Sequence, residues 1–273
     1  MLKDITLGQY YPADSIIHKM DPRTKIILTV LYIVMIFMAK NIYALGISVI
    51  MLFVIAALAK IPLKMIFRSI KAIIPVIIIT SVLNIFYVSG EVILLKWRFI
   101  TVTREGLITA GFIIIRIVTM IAGSSIMTFT TTPTTLTDGI ERLIKPLKLL
   151  RINVHDIAMM MTIALRFVPT LIEETDRIIN AQKSRGADMT SGGIIKRTKA
   201  LLPVFLPLLI SAFTRARDLA TAMECRCYTG VGRTRMKVLK YAACDYASYA
   251  LFAALTAGVV LCNVYLHSII SIL

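Results

Sequence analysis

The sequence predicts an all-α integral membrane protein of about five transmembrane helices, with further helices outside the bilayer. Hydrophobic residues make up 58% of its 273 residues, whereas a soluble domain averages about 45–50%. The mean hydropathy is +0.81. Several uncharged runs approach the roughly 20 residues that a helix needs to cross the hydrocarbon core. Composition therefore excludes the soluble classes.

Five apolar runs are predicted to span the membrane, and the charges beside them give an orientation. Basic residues cluster before the first run, between the second and third, and before the last. The positive-inside rule places these segments and the N-terminus in the cytoplasm. The mixed-charge link 91–105 and the C-terminus then lie outside. The predicted spans are 26–39, 41–59, 72–90, 106–130 and 246–273.

A charged segment separates the fourth and fifth spans. It is too charged to form spans and too apolar for a loose loop, so we predict three cytoplasmic amphipathic helices there. The first begins at Thr132-Pro133, because threonine can cap a helix and proline suits its first turn. The predicted organisation is a membrane region with four spans, a cytoplasmic helical region and a final span, over residues 1–130, 131–235 and 236–273.

The other two cytoplasmic helices are long. The second is predicted over 154–185, with Gly186 in the left-handed position just past its end. The third is predicted over about 194–226, bent by Pro203 and Pro207. Basic amphipathic helices of this kind are typical of the boundary between membrane and cytosol. We therefore expect the third helix to lie along the inner membrane face.

The chain offers little for catalysis. It contains no G-x-x-x-x-G-K-[ST] motif, so we do not expect it to hydrolyse ATP. The net charge of +16 does not indicate nucleic acid, because the aromatic residues are not interleaved with the basic ones. No metal, cofactor or catalytic site is predicted, since the histidines are scattered at His18, His155 and His267.

An acidic cluster and a single arginine each have a structural interpretation that we favour over a functional one. The acidic cluster Glu173-Glu174-Asp176, with Arg177 nearby, is predicted to be a solvated polar face and not a catalytic pair. Arg116 lies inside the fourth span, where a charge usually faces the protein interior or a cavity. It is either part of a transport path or a structural arginine that bonds carbonyls of loops or neighbouring helices. The second alternative is favoured because spans one to three hold no acidic partner.

Two predicted cytoplasmic helices end in the same way. One closes on A-Q-K-S-R-G over 181–186 and the other on A-M-E-C-R-C over 222–227. Each places an alanine four residues before an arginine, on one helix face. A single arginine at a helix C-terminus is explained by the helix dipole. Two matched copies favour docking to two similar partners, since the guanidinium fork suits carbonyls and carboxylates.

Several motifs together carry a family resemblance over nearly the whole chain. They are H-K-M-D-P-R-T-K at 18–25, T-T-P at 131–133, A-L-R-F-V-P at 164–169, A-Q-K-S-R-G-A-D at 181–188, and the second arginine motif at 222–227. With them the chain resembles the transmembrane T component of energy-coupling factor (ECF) transporters, the EcfT/CbiQ-like family of ABC-type importers. The A-Q-K-S-R-G-A-D motif is the most specific of these.

The resemblance implies an L-shaped, non-catalytic subunit in a bacterial or archaeal cell membrane, with coupling helices on the cytoplasmic side. Its implied partners are two ABC ATPases, which use the ATP, and one small substrate-binding membrane protein, the S component. The residues implied to dock the two ATPases are Ala181, Arg185 and Gly186 for one, and Ala222, Glu224 and Arg226 for the other. The chain departs from the family at Cys227, where glycine is usual, so Gly230 could end that helix instead.

The function expected from the resemblance is coupling of ATP-driven motion to uptake of a vitamin or other micronutrient. One alternative is a self-sufficient secondary transporter, which predicts inverted repeats, broken helices and paired charges near the midplane. Another is an integral-membrane enzyme, which needs a clustered acid, base or metal set. The sequence shows none of these features clearly, so coupling is favoured.

Overall fold

The structure is a computed structural model that describes residues 10–39, 41–87, 93–97, 100–146, 154–186, 193–229 and 239–270. Helices dominate it, which confirms the predicted all-α class. The elements are α1 Ile16–Lys19, α2 Pro22–Met38, α3 Ile42–Ala59, α4 Leu63–Lys71, α5 Ile74–Tyr87, β1 Ile93–Trp97, β2 Ile100–Thr103, α6 Arg104–Thr130, α7 Pro133–Ile144, α8 Val154–Ser184, α9 Ile194–Cys225 and α10 Ala243–Ile270.

The chain divides into two compact units. The first unit combines Gly8–Arg142 with Leu239–Leu273 and contains most of the apolar helices. The second unit contains Leu143–Val238 and is built mainly from α8 and α9. α10 therefore joins the N-terminal helices in one unit although it follows the second unit in sequence.

Among the described residues, three helices are long and apolar enough to cross a membrane: α3, α6 and the Ala243–Tyr265 part of α10. These agree with the second, fourth and fifth predicted spans. α4 and α5 form a pair bent by 60°, which would count as a fourth crossing if both helices belong to one span. α2 has 17 residues, at the lower limit for crossing. The first predicted span thus corresponds to α2 and the third to the bent pair, and the other three are single long helices.

The helix of the third predicted span, 72–90, begins two residues later than expected because a break precedes it. Pro75 has no N–H to donate to the carbonyl of Lys71, and its ring would clash with that carbonyl in a continuous helix. The helix accordingly stops at Lys71 and resumes at Ile74. Within the described residues, the helical part of the predicted span is then α5, which has 14 residues.

A short antiparallel hairpin lies in the link between α5 and α6, where the sequence predicted only a mixed-charge connection. β1 pairs with β2, with Trp97 opposite Ile100 in the register. β2 continues directly into α6, whose first turn is capped by Thr103. The Thr103 hydroxyl accepts a hydrogen bond from the Gly106 N–H at 3.1 Å, as expected of an N-cap.

A buried carboxylate joins the two ends of the first unit. Asp245, which is 1% exposed, accepts hydrogen bonds from the Ala242 N–H at 2.8 Å and from the Asp21 N–H at 3.1 Å. Asp21 itself caps α2 by accepting from the Arg23 N–H at 2.9 Å. The start of α10 is thus held against the start of α2, although 224 residues separate the two aspartates.

Two cations satisfy backbone carbonyls where helices of the first unit end. The Lys25 ammonium donates to the carbonyls of His18 at 3.2 Å and Thr130 at 2.9 Å, and so links α1 and α6 to α2. Nη2 of Arg116 donates to the Ala39 carbonyl at 2.7 Å, at the C-terminal cap of α2. Arg116 therefore bonds a neighbouring helix end, as the structural interpretation of this residue expects.

The helices predicted in the charged segment are present as α7, α8 and α9. α7 begins at Pro133, and the Thr132 hydroxyl accepts from the Thr135 N–H at 3.4 Å, so the predicted start is confirmed. α8 and α9 have 31 and 32 residues. Pro203 and Pro207 both lie inside α9, which does not end at either of them.

α8 and α9 lie antiparallel in the second unit. The Tyr228 hydroxyl, just past α9, donates to Sδ of Met159 near the start of α8 at 3.0 Å. Near the other end of α8, the Gln182 side chain donates to the Pro203 carbonyl at 3.4 Å. Residues later in α8 thus contact residues earlier in α9. The two helix C-termini therefore point to opposite ends of the pair.

Gly123 gives a test of packing in the first unit. A Cβ at this position would lie 2.5 Å from Cε1 of Tyr32, and Tyr32 is 4% exposed. Overpacking a site like this costs about 1–3 kcal/mol, whereas glycine to alanine in an open helix gains about 1 kcal/mol. We expect Gly123→Ala to lower the melting temperature of the purified full chain in detergent.

Gly111→Ala is the matched control for Gly123→Ala. Gly111 lies in the same helix, and nothing stands within 4 Å of its Cβ position. We expect its melting temperature to equal or exceed that of the unchanged chain. Equal stability of the two variants would contradict close packing of Tyr32 on α6.

Candidate functional site

The first arginine end, residues 181–186, closes α8 as the sequence predicts. Arg185 follows the last helical residue, and its N–H donates to the carbonyls of Ala181 at 3.2 Å and Gln182 at 3.1 Å. Gly186 comes next with φ +84, in the left-handed region that glycine adopts at no steric cost. Its N–H donates to the Lys183 carbonyl at 2.9 Å. The guanidinium thus leaves the chain where the helix stops.

The second arginine end, residues 222–227, closes α9 in the same way, although a cysteine stands where the first end has glycine. Cys227 adopts φ 55, and its N–H donates to the Glu224 carbonyl at 2.8 Å. The Tyr228 N–H reaches back to the Met223 carbonyl at 3.0 Å. This pair of bonds defines the Schellman motif. Arg226 is its C-cap residue, as Arg185 is at the first end.

The alternative that Gly230 ends this helix is wrong, because α9 ends at Cys225 and the cap follows at once. Gly230 itself lies outside the described residues. A non-glycine residue in the left-handed region costs roughly 1–2 kcal/mol. The two reverse hydrogen bonds offset that cost by satisfying carbonyls that the helix end would otherwise leave unpaired. The glycine is therefore dispensable for the geometry that places the arginine.

The residues predicted to dock are accessible at both ends. Ala181, Arg185 and Gly186 are exposed, and so are Ala222, Glu224 and Arg226. No described residue forms a hydrogen bond or ion pair with either guanidinium. The ends differ in charge at equivalent positions, since Lys183 stands two residues before Arg185 and Glu224 two before Arg226. The two ends are therefore alike in shape and unlike in charge.

An ion pair joins α8 and α9 between the two arginine ends. Nε and Nη2 of Arg215 donate to Oε2 of Glu174 at 3.1 and 2.6 Å, and the Ser211 hydroxyl donates to Oε1 at 2.5 Å. Hydrogen bonds from Ser211 and Arg215 hold the pKa of the Glu174 carboxyl below its ordinary value. Glu174 lies on the polar face that the sequence predicts, and the structure adds partners from the neighbouring helix, Ser211 and Arg215.

The Glu174–Arg215 pair contributes more to geometry than to stability. The side chains of Arg215 and Glu174 are 41% and 23% exposed, and pairs accessible to water contribute about 1 kcal/mol or less. One feature of the sequence relates to this pair, which is the equal spacing of its two members from the arginine ends. Glu174 precedes Arg185 by eleven residues, and Arg215 precedes Arg226 by eleven residues.

A cavity of about 330 Å³ lies beside the ion pair. Most of its lining side chains are charged or polar, and it extends to the first arginine end at Ala181. Within the described ranges, no three His, Cys, Asp or Glu side chains come together as metal ligands would. The lining residues are Thr170, Glu173, Glu174, Arg177, Ile178, Ala181 and Arg215.

Comparison with known proteins gives a family and close relatives. The CbiQ family profile, described as "Cobalt transport protein", matches residues 13–238. A protein of Acidaminococcus fermentans named "Energy-coupling factor transporter transmembrane protein EcfT" is 52% identical over 256 residues, 93% of this chain and 95% of that protein. A protein of the same name from Clostridium kluyveri is 48% identical over 264 residues, 96% of each chain.

A more distant relative, "Energy-coupling factor transporter transmembrane protein EcfT 1" of Listeria monocytogenes, is 38% identical over 262 residues, 96% of this chain and 98% of that protein. These relatives therefore match the chain over almost its whole length. The chain belongs to the CbiQ family, among the transmembrane proteins of energy-coupling factor transporters.

Proposed function

We propose that this chain is the coupling subunit of an ECF-type ABC importer. It transmits ATP-driven motion from two ATPase subunits to one substrate-binding S component, for uptake of a vitamin or other micronutrient. The ATPases bind and hydrolyse the ATP, and the S component holds the substrate. The chain itself is non-catalytic and binds no cofactor. It lies in the cell membrane of a bacterium or archaeon with its N-terminus in the cytoplasm.

The observation that carries this proposal is the pair of equivalent arginine ends on α8 and α9. Both arginines occupy the C-cap position, both are followed by a residue in the left-handed region, and both are exposed. Two similar arginine ends on one helix pair suit two similar binding grooves better than they suit any single partner. Each guanidinium offers five donors in a rigid plane, which suits a groove lined with carbonyls or carboxylates.

The antiparallel arrangement of α8 and α9 explains how motion could be passed on. When ATP binding draws two ATPases together, the docked ends of the two helices must move with them. Long helices carry such a displacement along their length as stiff rods. In this proposal the S component lies on the apolar surface of these helices. Movement of the helices tilts the S component, which then releases its substrate inward. The cytoplasmic helical region 131–235 is then the coupling region.

The arginine ends are tested by removing each guanidinium. We expect Arg185→Ala or Arg226→Ala to weaken ATPase binding by about 2 kcal/mol, roughly thirtyfold in affinity, as for a buried interface arginine. The double variant is expected to lose ATPase assembly. Arg→Lys at either position should recover little, because an ammonium cannot reproduce the planar fork. The measurement is recovery of ATPase subunits with the tagged full chain purified from membranes.

Arg217→Ala is the matched control for the arginine variants, since Arg217 is an exposed arginine of α9 away from its end. It should leave assembly unchanged. Normal assembly and uptake by the double variant would refute docking through the arginine ends.

The cap at Cys227 gives a second test. Valine rarely adopts the left-handed region, so Cys227→Val should disturb the cap that aims Arg226, whereas Cys227→Gly keeps it. We expect Cys227→Val to weaken recovery of one ATPase and Cys227→Gly to leave recovery unchanged, measured in the same assay. Gly186→Val should have the matching effect at the first end. If Cys227→Val assembled as well as Cys227→Gly, the cap geometry would have no part in docking.

A further inference from the structure

We infer that α4 is a binding site for anionic phospholipids at the membrane surface, with the lipid phosphate held by Lys64 and Arg68 and the acyl chains against Leu63 and Phe67. The inference goes beyond the proposed function, because it concerns the bilayer around the first unit and needs neither an ATPase nor an S component. It rests on the three different sides of this nine-residue helix.

One side of α4 attaches the helix to the first unit. Ile66 is buried and belongs to the apolar core of that unit, and Ile70 packs against the same core. Ile61, just before the helix, is buried as well. The position of α4 is thus fixed by the protein, and its remaining surface is left for the surroundings of the protein.

A second side of α4 is apolar and exposed. Leu63 and Phe67 are 51% and 67% exposed, and their spacing of four residues puts them on one helix face. Exposing such a pair to water is unfavourable. The neighbouring helices are apolar on their outside too: α3 is long and apolar enough to cross a membrane, and α5 exposes Ile78 and Ile79. The apolar side of α4 therefore meets lipid acyl chains.

The third side of α4 is basic. Lys64, Arg68 and Lys71 follow one another at spacings of four and three residues, which places them on one helix face. Lys60 precedes them at the end of α3. We call these four exposed residues the basic stripe. At 3.6 residues per turn, the helical part of the stripe lies about 90° around α4 from the apolar side and almost opposite Ile66.

The chain supplies no counter-charge to the basic stripe. The sequence has no acidic residue between Asp21 and Glu91. Within the described ranges, no side chain of the stripe forms a hydrogen bond or an ion pair. Lys64 and Arg68 also stand four residues apart, a spacing at which like charges destabilise a helix. An anion from outside the chain would remove that repulsion, so the stripe favours an external anionic partner.

The position of α4 identifies that partner as a phospholipid. The helix follows α3 directly, and α5 leaves it at an angle of 60°. An amphipathic helix beside a membrane span lies in the interface, with its cations among the headgroups, and clustered cations there attract anionic lipids. A phosphate offers Arg68 a bidentate acceptor and Lys64 a point charge. The ligand is therefore a phospholipid whose headgroup carries a net negative charge.

The test measures lipid binding to the purified full chain in a neutral detergent by native mass spectrometry. Phosphatidylglycerol and phosphatidylcholine with the same acyl chains are titrated separately. The variant is Lys64→Gln with Arg68→Gln. The matched control is Lys183→Gln with Arg217→Gln, which removes one lysine and one arginine from exposed positions of the second unit. A further variant, Lys64→Arg with Arg68→Lys, keeps both charges.

A cation beside an anionic lipid contributes a factor of about five in affinity. We therefore expect the unchanged chain to bind phosphatidylglycerol about 25-fold more tightly than phosphatidylcholine through two such cations, with the preference falling as salt is added. The Lys64→Gln, Arg68→Gln variant should lose about tenfold or more of that preference. The matched control and the charge-keeping variant should retain it.

Equal affinity of the unchanged chain for the two lipids would overturn the inference. An equal loss in the matched control would also overturn it, because the effect would then belong to net charge and not to α4. Glycerol phosphate, a soluble headgroup without acyl chains, separates a lipid from a free anion. We expect it not to displace phosphatidylglycerol, and displacement at millimolar concentration would contradict a lipid site. None of these outcomes involves ATPases, so they are independent of the proposed function.

Discussion

The antiparallel packing of α8 against α9 is the constraint on which the candidate site depends. Parallel helices would put both arginine ends on the same side, where a single partner could cover them. Antiparallel helices put them apart, with the Glu174–Arg215 pair between. The exposed ion pair adds about 1 kcal/mol or less to stability, so its importance lies in where it fixes the helices and not in how strongly it holds them.

The two helix ends reach one geometry from different residues. Glycine at 186 adopts the left-handed conformation freely, whereas Cys227 adopts it at a cost of roughly 1–2 kcal/mol. The second end offsets this with the reverse hydrogen bonds of Cys227 and Tyr228. What the arginine requires is a helix that stops directly after it, and either residue provides that stop. A motif that demanded glycine would therefore miss the second end.

The first unit uses buried polar groups to hold apolar helices in fixed relation. In a bilayer, apolar surface alone does not favour helix association, because lipid is as apolar as the helix. Hydrogen bonds from Lys25 and Arg116 to helix-end carbonyls, and from the Asp21 amide to Asp245, supply specific contacts. Close approach at Gly123 adds dispersion contacts with Tyr32. The spanning helices thus have defined neighbours before any partner binds.

The sequence by itself determined the membrane class, three clear spans, the long helices of the charged segment and the two arginine ends. These are properties of local composition and periodicity, which a single segment carries. It did not decide the hairpin before α6, the cap at Cys227 or the partners of Glu174. The hairpin depends on strand pairing. The cap depends on a residue in the left-handed region, whose strain is offset by hydrogen bonds. The partners of Glu174 depend on α8 and α9 lying antiparallel. Only the folded chain brings residues such as Glu174 and Arg215 together, because their contact belongs to neither helix alone.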